Sequence, residues 1–273
     1  MANLAEYIER IEIDALWNGR RHIIWNLHPG INILSGVNGV GKSTILHKVV
    51  NRLLEISKAI RETSDVKLTF GPNGGDSVHF DVIRSFDRPM VRGEVMNQIV
   101  DIKISSELDV QLYLLQRRYL DYQVNASNRI VDLFTKGVSD AQQKAQEIAG
   151  EKAHFQDIVD SLFAETAKSI DRNSNEIFFI QKEERLSPYQ LSSGEKQMLI
   201  ILLTCLVEDK QPYVLFMDEP EISLHIDWQQ KLVGLVHDLN PNAQIILTTH
   251  SPAVVMDGWA DCVTDVEDII VSD

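Results

Sequence analysis

Gly36-Val37-Asn38-Gly39-Val40-Gly41-Lys42-Ser43-Thr44 decides how the rest of this chain is read. An apolar run, Ile31 to Leu34, comes before it. After it, Leu46, Val49, Val50, Leu53, Ile56 and Ile60 recur on one face of a helical pattern from Ser43 to Ile60. Strand, glycine loop and helix form the context in which G-x-x-x-x-G-K-[ST] holds phosphate. The glycines let backbone N–H groups turn inward, and the helix N-terminus adds its positive dipole end. Lys42 reaches the β and γ phosphates, and the Ser43 hydroxyl serves Mg2+. Gly36, Asn38, Gly39, Gly41, Lys42, Ser43 and Thr44 are the candidate phosphate-binding residues.

A second apolar run, Tyr213-Val214-Leu215-Phe216-Met217, delivers Asp218 and Glu219. By themselves two acids before a proline read as a helix cap. In a fold that already carries Lys42 they read differently. A strand ending in Asp places a carboxylate beside Mg2+, and the next Glu aligns a water against the γ-phosphate. Apolar residues directly before two acids are costly at a surface and natural at the end of a buried strand. Leu191-Ser192-Ser193-Gly194-Glu195 opens a wholly apolar helix that runs to about Val207. Its hydroxyls, free N–H groups and dipole make an anion site without a lysine, and Ser192 with Glu195 also forms a capping box. His250 stands at the end of the strand QIILTT.

The rest of the pattern is α/β. Residues 8 to 27 read as a hairpin turning at Asn18-Gly19, and GPNGGD, residues 71 to 76, reads as a second hairpin between KLTF and VHFDVI. Helix formers dominate 106 to 172, where Leu108, Leu112, Leu115, Tyr119 and Tyr122 keep helical spacing. The strand EIFFI, 176 to 180, is expected to return the chain to the core. An amphipathic helix from about Asp227 to Leu239 follows the second apolar strand. Strands without alternation are buried on both faces, as in parallel sheets covered by helices. The expected segments are 1–105 and 173–273 as the two parts of one core, with 106–172 as an inserted helical lobe. The acidic tail, with Asp265, Glu267 and Asp268, reads as a solvated end.

Bulk properties narrow the function. A net charge of −14 disfavours broad adhesion to nucleic acid or anionic lipid, leaving DNA as a ligand only through a local basic patch. Cys205 and Cys262 lack partners at metal-ligand spacing, which points to a reducing cytoplasm. The acidic N-terminal residues do not suit a signal peptide, and no apolar run is long enough to span a bilayer, so direct membrane insertion is not expected.

Taken together, GVNGVGKST, LSSGEKQ, YVLFMDEPE and TTHS resemble the ABC-type ATPases, in that family's order and at both ends of the chain. The resemblance implies a P-loop NTPase fold of ABC type: a mostly parallel sheet, an N-terminal antiparallel β-subdomain and an inserted helical lobe. It implies ATP and Mg2+ as cofactors, and a homodimer formed head to tail on ATP binding. ATP on Lys42 and Ser43 of one copy would be capped in trans by the signature Ser192, Ser193, Gly194 and Glu195 of the other. Ser43 and Asp218 would hold the metal, Glu219 would be the catalytic base and His250 would sense the γ-phosphate.

The segment after the base separates branches of the family. Transporter heads resemble EPTSALD there, whereas Glu219-Pro220-Glu221-Ile222-Ser223-Leu224-His225 looks like the soluble OLD-like and RecF-like ATPases of DNA repair and phage defence. The span from Lys42 to Ser192 is longer than in transporter heads and far shorter than in chromosome-organising ATPases with long coiled coils. The sequence given ends at Asp273, soon after His250, so the metal-dependent nuclease domain of OLD proteins is not expected within it, and if a nuclease is involved another chain is expected to supply it. The implied function is an ATPase controlling a separate effector such as a nuclease. The alternatives are the ATP-binding subunit of a membrane transporter and a regulatory ATP-binding module with negligible turnover. No residue is assigned to the family's glutamine loop: VHFDVIRSFDR has no Gln at its end, and Gln98 and Gln111 lack its context. Arg84 and Arg88 read as exposed strand-edge residues, and Trp17 and Trp25 as packing residues of the hairpin.

Overall fold

The computed structural model describes residues 3–17, 21–58, 64–72, 74–84 and 104–271. In chain order it contains β1 (Leu4–Ala5), β2 (Tyr7–Leu16), β3 (Arg21–Asn26), β4 (Ile31–Ser35), α1 (Lys42–Ser57), β5 (Val66–Gly71), β6 (Ser77–Val78) and β7 (Phe80–Arg84). Then come α2 (Glu107–Thr135), α3 (Ala141–Leu162), β8 (Lys168–Ile170), β9 (Phe179–Gln181), β10 (Glu184–Leu186) and α4 (Ser193–Val207). The chain closes with β11 (Tyr213–Asp218), α5 (Ile226–Leu239), β12 (Ala243–Thr248), α6 (Pro252–Val255), β13 (Val263–Asp265) and β14 (Ile270–Val271). These elements form two compact units, Met1–Ser85 with Lys210–Asp273, and Phe86–Asp209.

The first unit is built on a five-stranded sheet in the order β13-β4-β12-β11-β7, every neighbouring pair parallel. All six residues of β11 and all six of β12 are buried, which is why their sequences show no alternation. A four-stranded antiparallel sheet, β14-β3-β2-β5, supplies the other wall of the core. Ile8, Ile11, Ile13 and Trp25 from that sheet, Leu46, Val49 and Leu53 from α1, and Val214, Phe216 and Ile246 from the parallel sheet form one apolar cluster. Gln244 ties the two sheets through a polar contact inside this cluster's wall. Its Oε1 accepts from Ile8 N–H at 2.8 Å, and its amide group donates to the carbonyls of Ile8 and His28, both at 2.8 Å. A fully buried amide is tolerated because its hydrogen-bonding capacity is used.

The second unit packs α2, α3 and α4 with a small antiparallel sheet, β8-β9-β10. Every residue of α4 from Glu195 to Leu206 is buried, the expected state of a helix that is apolar all round. The start of α2 is fixed by the Asp109 carboxylate, which accepts the N–H groups of Ser105 (2.9 Å) and Ser106 (3.1 Å). Its other oxygen accepts Lys196 Nζ of α4 at 2.8 Å. One acid therefore caps one helix and grips another.

Several expectations change here. The 71–76 segment joins strands of different sheets: β5 pairs with β2 in the antiparallel sheet, while β7 pairs with β11 in the parallel one, so the second hairpin does not form. EIFFI does not return the chain to the core. Its last two residues start β9, which stays in the second unit, and Gln116 of α2 holds Ile177 by two hydrogen bonds of 2.9 Å. The two compact units also divide the chain differently from the expected segments. α4 and the strands before it group with α2 and α3, and Asp109 of α2 binds Lys196 of α4. The acidic tail is not a loose end: β13 extends the parallel sheet beside β4, β14 pairs with β3, and Val266 between them is buried in the core. The tight turn at Asn18-Gly19, together with Ile60, Arg88 and Gln98, lies outside the described residues, whereas β2 and β3 pair antiparallel as expected. Among the described residues no helix is long and apolar enough to cross a membrane.

Burial pushes the Asp109 carboxyl up, but hydrogen bonds from Lys196 and Ser105 outweigh it and hold the group below its ordinary value. Such a carboxyl stabilises the fold above its unfolded pKa of about 3.9, and that contribution disappears as the pH falls through the lower folded value. Replacing Asp109 by Ala strands the Lys196 ammonium and uncaps α2. Guanidinium unfolding at neutral pH is expected to show a loss of about 3–5 kcal/mol, and the gap from wild type should narrow below about pH 4.

Candidate functional site

Three adjacent strands of the parallel sheet, β4, β12 and β11, end together, and the candidate residues leave from those ends. This is where open α/β sheets place their ligands. The loop after β4 runs directly into α1, whose N-cap is Gly41 with φ of 102°, a backbone conformation that a side chain strains. A Cβ at that position would also meet Cζ2 of Trp17, and the indole would have to move to admit it. Val37, Asn38, Gly39 and Thr44 are exposed around the loop.

Lys42 is only 3% exposed. Its ammonium donates to the carbonyls of Gly36 (2.8 Å) and Val37 (3.3 Å) and lies 3.1 Å from His250 Nδ1. Burial pulls the lysine below its ordinary pKa, opposed by the charges of Glu219, Asp218, Asp265 and Glu221. The amine is thus folded against its own loop and surrounded by acids, a cation held ready for an anionic ligand.

Ser43 Oγ donates to Asp218 Oδ1 at 2.9 Å, and Thr248 Oγ1 donates to the same oxygen at 2.6 Å. A hydroxyl and a carboxylate at this separation are hard oxygen donors of the kind Mg2+ accepts. Glu219 stands just past the strand with φ of 49°. Its N–H donates to the carbonyl (3.1 Å) and the hydroxyl (3.2 Å) of Thr248, which stabilises this uncommon conformation. Its carboxylate lies 2.8 Å from His250 Nε2. Facing a carboxylate with one nitrogen and an ammonium with the other, the imidazole donates from Nε2 and accepts at Nδ1. Glu219, His250 and Lys42 form one hydrogen-bonded chain.

Residues that sequence reasoning missed surround this chain. Thr248 is the register partner of Asp218, which only the strand order reveals. Glu221, 6% exposed, accepts from Thr249 Oγ1 (2.5 Å) and from the N–H groups of His250 (3.0 Å) and Ser251 (3.3 Å). Gln229 donates to the carbonyls of Glu221 and Leu224 and accepts from Ser251 Oγ at 2.6 Å.

In the second unit, Ser192 caps α4 in the capping box expected from the sequence. Glu195 N–H donates to Ser192 Oγ at 3.3 Å, and Ser192 N–H donates to Glu195 Oε2 at 2.9 Å. The other Glu195 oxygen accepts Lys168 Nζ (2.7 Å) and Thr166 Oγ1 (2.9 Å). Burial pushes this carboxyl up, and the bonds from Lys168, Ser192 and Thr166 outweigh it, keeping it below its ordinary value. Glu195 is therefore committed to shaping the turn, while Ser192 and Ser193 are exposed at its rim.

Comparisons with known proteins bear on the family and the fold. Residues 109–257 match the family described as "AAA domain, putative AbiEii toxin, Type IV TA system". The chain is 28% identical over 223 residues to a phosphate import ATP-binding protein, PstB, of Pyrobaculum aerophilum, covering 82% of this chain and 70% of that protein. It is 24% identical over 300 aligned positions to the Septu protein PtuA of Bacillus thuringiensis, covering 91% of this chain and 72% of PtuA. Its fold is similar to the crystal structure of an Smc head bound to the C-terminal winged-helix domain of ScpA, with a TM-score of 0.51 at 15% identity over 92% of each chain. A matched segment of more than half the chain, on an Smc-head-like fold, makes this protein an ATPase of ABC type and a member of the "AAA domain, putative AbiEii toxin, Type IV TA system" family.

Proposed function

We propose that the protein is a cytoplasmic ATPase of the soluble OLD-like and RecF-like branch. It binds ATP with Mg2+, pairs head to tail with a second copy, and controls a separate effector, a nuclease or similar protein of phage defence or DNA repair. The observation that carries this reading is the 2.8 Å contact between Glu219 and His250 beside Lys42 and the Ser43–Asp218 pair. Support for a role in defence comes from the toxin–antitoxin description of the family and from the likeness to PtuA over most of the chain.

The chemistry follows from the residues. Lys42 exchanges its loop carbonyls for phosphate oxygens, and the N–H groups at the start of α1 close on the same anion. Ser43 and Asp218 would hold Mg2+, which when bound supplies positive charge to the β and γ phosphates. His250 turns its Nε2–H from Glu219 to the γ-phosphate and so releases the carboxylate. Glu219 then accepts a proton from the attacking water as the water oxygen bonds to the γ-phosphorus and the bond to ADP breaks. Ser193 and Gly194 of the second copy cap the nucleotide from the exposed turn at the start of α4. Because each ATP contacts both copies, binding joins them and hydrolysis separates them.

The likeness to PstB favours one competing reading, the ATP-binding subunit of an importer. The protein that co-purifies with the chain decides between them. A multi-span permease supports the importer, whereas a nuclease supports the effector reading.

Replacing Glu219 by Gln should lower steady-state phosphate release by about 10²-fold or more, as expected for loss of a general base. Equal rates would remove Glu219 from the chemistry. Thr248→Val should reduce phosphate release by about 10-fold by removing the hydroxyl bonds to Asp218 and to the Glu219 N–H, with Thr248→Ser close to wild type. With ATP and Mg2+, the Glu219→Gln protein is expected to elute from gel filtration at a larger size than without nucleotide. Adding Ser193→Arg should abolish that shift; a shift that survives it rules out capping by the signature turn.

A further inference from the structure

Glu221 lies two residues past Glu219 and has no part in the chemistry assigned above, yet it is almost fully buried. Its Oε1 collects three donors from the turn after β12: the Thr249 hydroxyl and the N–H groups of His250 and Ser251. Its Oε2 is buried with no hydrogen-bond partner among the described residues. Consecutive backbone N–H groups converging on one oxygen form a small anion nest, filled here by the chain's own carboxylate. Gln229 fastens the same turn through Ser251 Oγ while holding the carbonyl of Glu221.

The geometry points to Glu221 as the positioning residue that sets His250 against Glu219. This inference rests on the reading that His250 acts on the γ-phosphate. Glu219 and His250 leave different strands, and the last register pair between those strands is Asp218 with Thr248. Beyond that pair, the His250 backbone N–H is held by Glu221. The separation between base and sensor is therefore governed by a residue on the base's own segment, so a displacement of that segment carries His250 with it. All three bonds fall on Oε1, so the role assigned to Glu221 is that of an acceptor. A glutamine keeps that acceptor with its carbonyl oxygen. A leucine keeps the approximate size and loses all three bonds.

The test is steady-state phosphate release with ATP and Mg2+ over a range of ATP concentrations. It compares wild type, Glu221→Leu, Glu221→Gln, Glu219→Gln, His250→Ala and the Glu221→Leu/His250→Ala double variant, with folding checked by circular dichroism. Glu221→Leu is expected to lower kcat by about 10–100-fold, with KM changed far less, because among the described residues Glu221 reaches Lys42 only through its charge and makes no contact with the phosphate loop. Glu221→Gln should return kcat close to wild type. In the His250→Ala background, Glu221→Leu should have little further effect, because both changes remove the same function. The inference is overturned if Glu221→Leu turns over normally, raises KM with kcat intact, or lowers kcat by the same factor with and without His250. It is equally overturned if Glu221→Gln is as inactive as Glu219→Gln, which would give Glu221 a direct chemical role. A normal kcat in His250→Ala defeats the sensor reading itself, and the role of Glu221 falls with it.

Discussion

The pairing of β11 with β12 in a single register, Asp218 opposite Thr248, is the constraint on which the site depends. A slip of one residue would turn every side chain of a strand to the opposite face. Both strands are buried from end to end, so such a slip would break packing along their whole length. The apolar packing that fixes the register has no chemistry of its own, yet it decides where the carboxylates stand. Thr248 converts register into geometry by donating to Asp218 while accepting the Glu219 N–H.

Buried acids recur in this molecule as clamps on turns. Asp109 gathers the N–H groups before α2, Glu195 holds the one before α4, and Glu221 holds two at the start of α6. The first two are neutralised by direct contact with Lys196 and Lys168. Among the described residues Glu221 has no such salt bridge, but its charge is felt by Lys42 across the site. Part of the field around the phosphate-binding lysine therefore comes from a side chain whose direct bonds are all to another turn.

Local chemistry made much of this legible in advance. Gly41, Lys42 and Ser43 announce themselves by spacing, Asp218 and Glu219 by the apolar run before them, and the cap at Ser192 by Glu195 three residues on. What stayed hidden was pairing at a distance. GPNGGD looks like a hairpin turn because turn residues report local backbone preference, not which sheet the next strand will join. The tail looks solvated because it is rich in acids, although Val266 among them fills the core. α4 is apolar enough to belong to any core, and only its partners show that it sits with α2 and α3. Thr248 and Glu221 lie inside TTHS and YVLFMDEPE, but their roles come from neighbours on other strands, which a motif does not report.

The contact between Trp17 and Gly41 has an optical consequence. The indole lies against the phosphate loop with Arg21 5.2 Å from its ring, whereas Trp25 is sealed in the core. Any anion that rearranges the loop at Gly41 must alter the surroundings of Trp17, one of four tryptophans, while Trp25 stays in the core. The arrival of nucleotide is in this way coupled to the protein's own ultraviolet emission, without any attached dye.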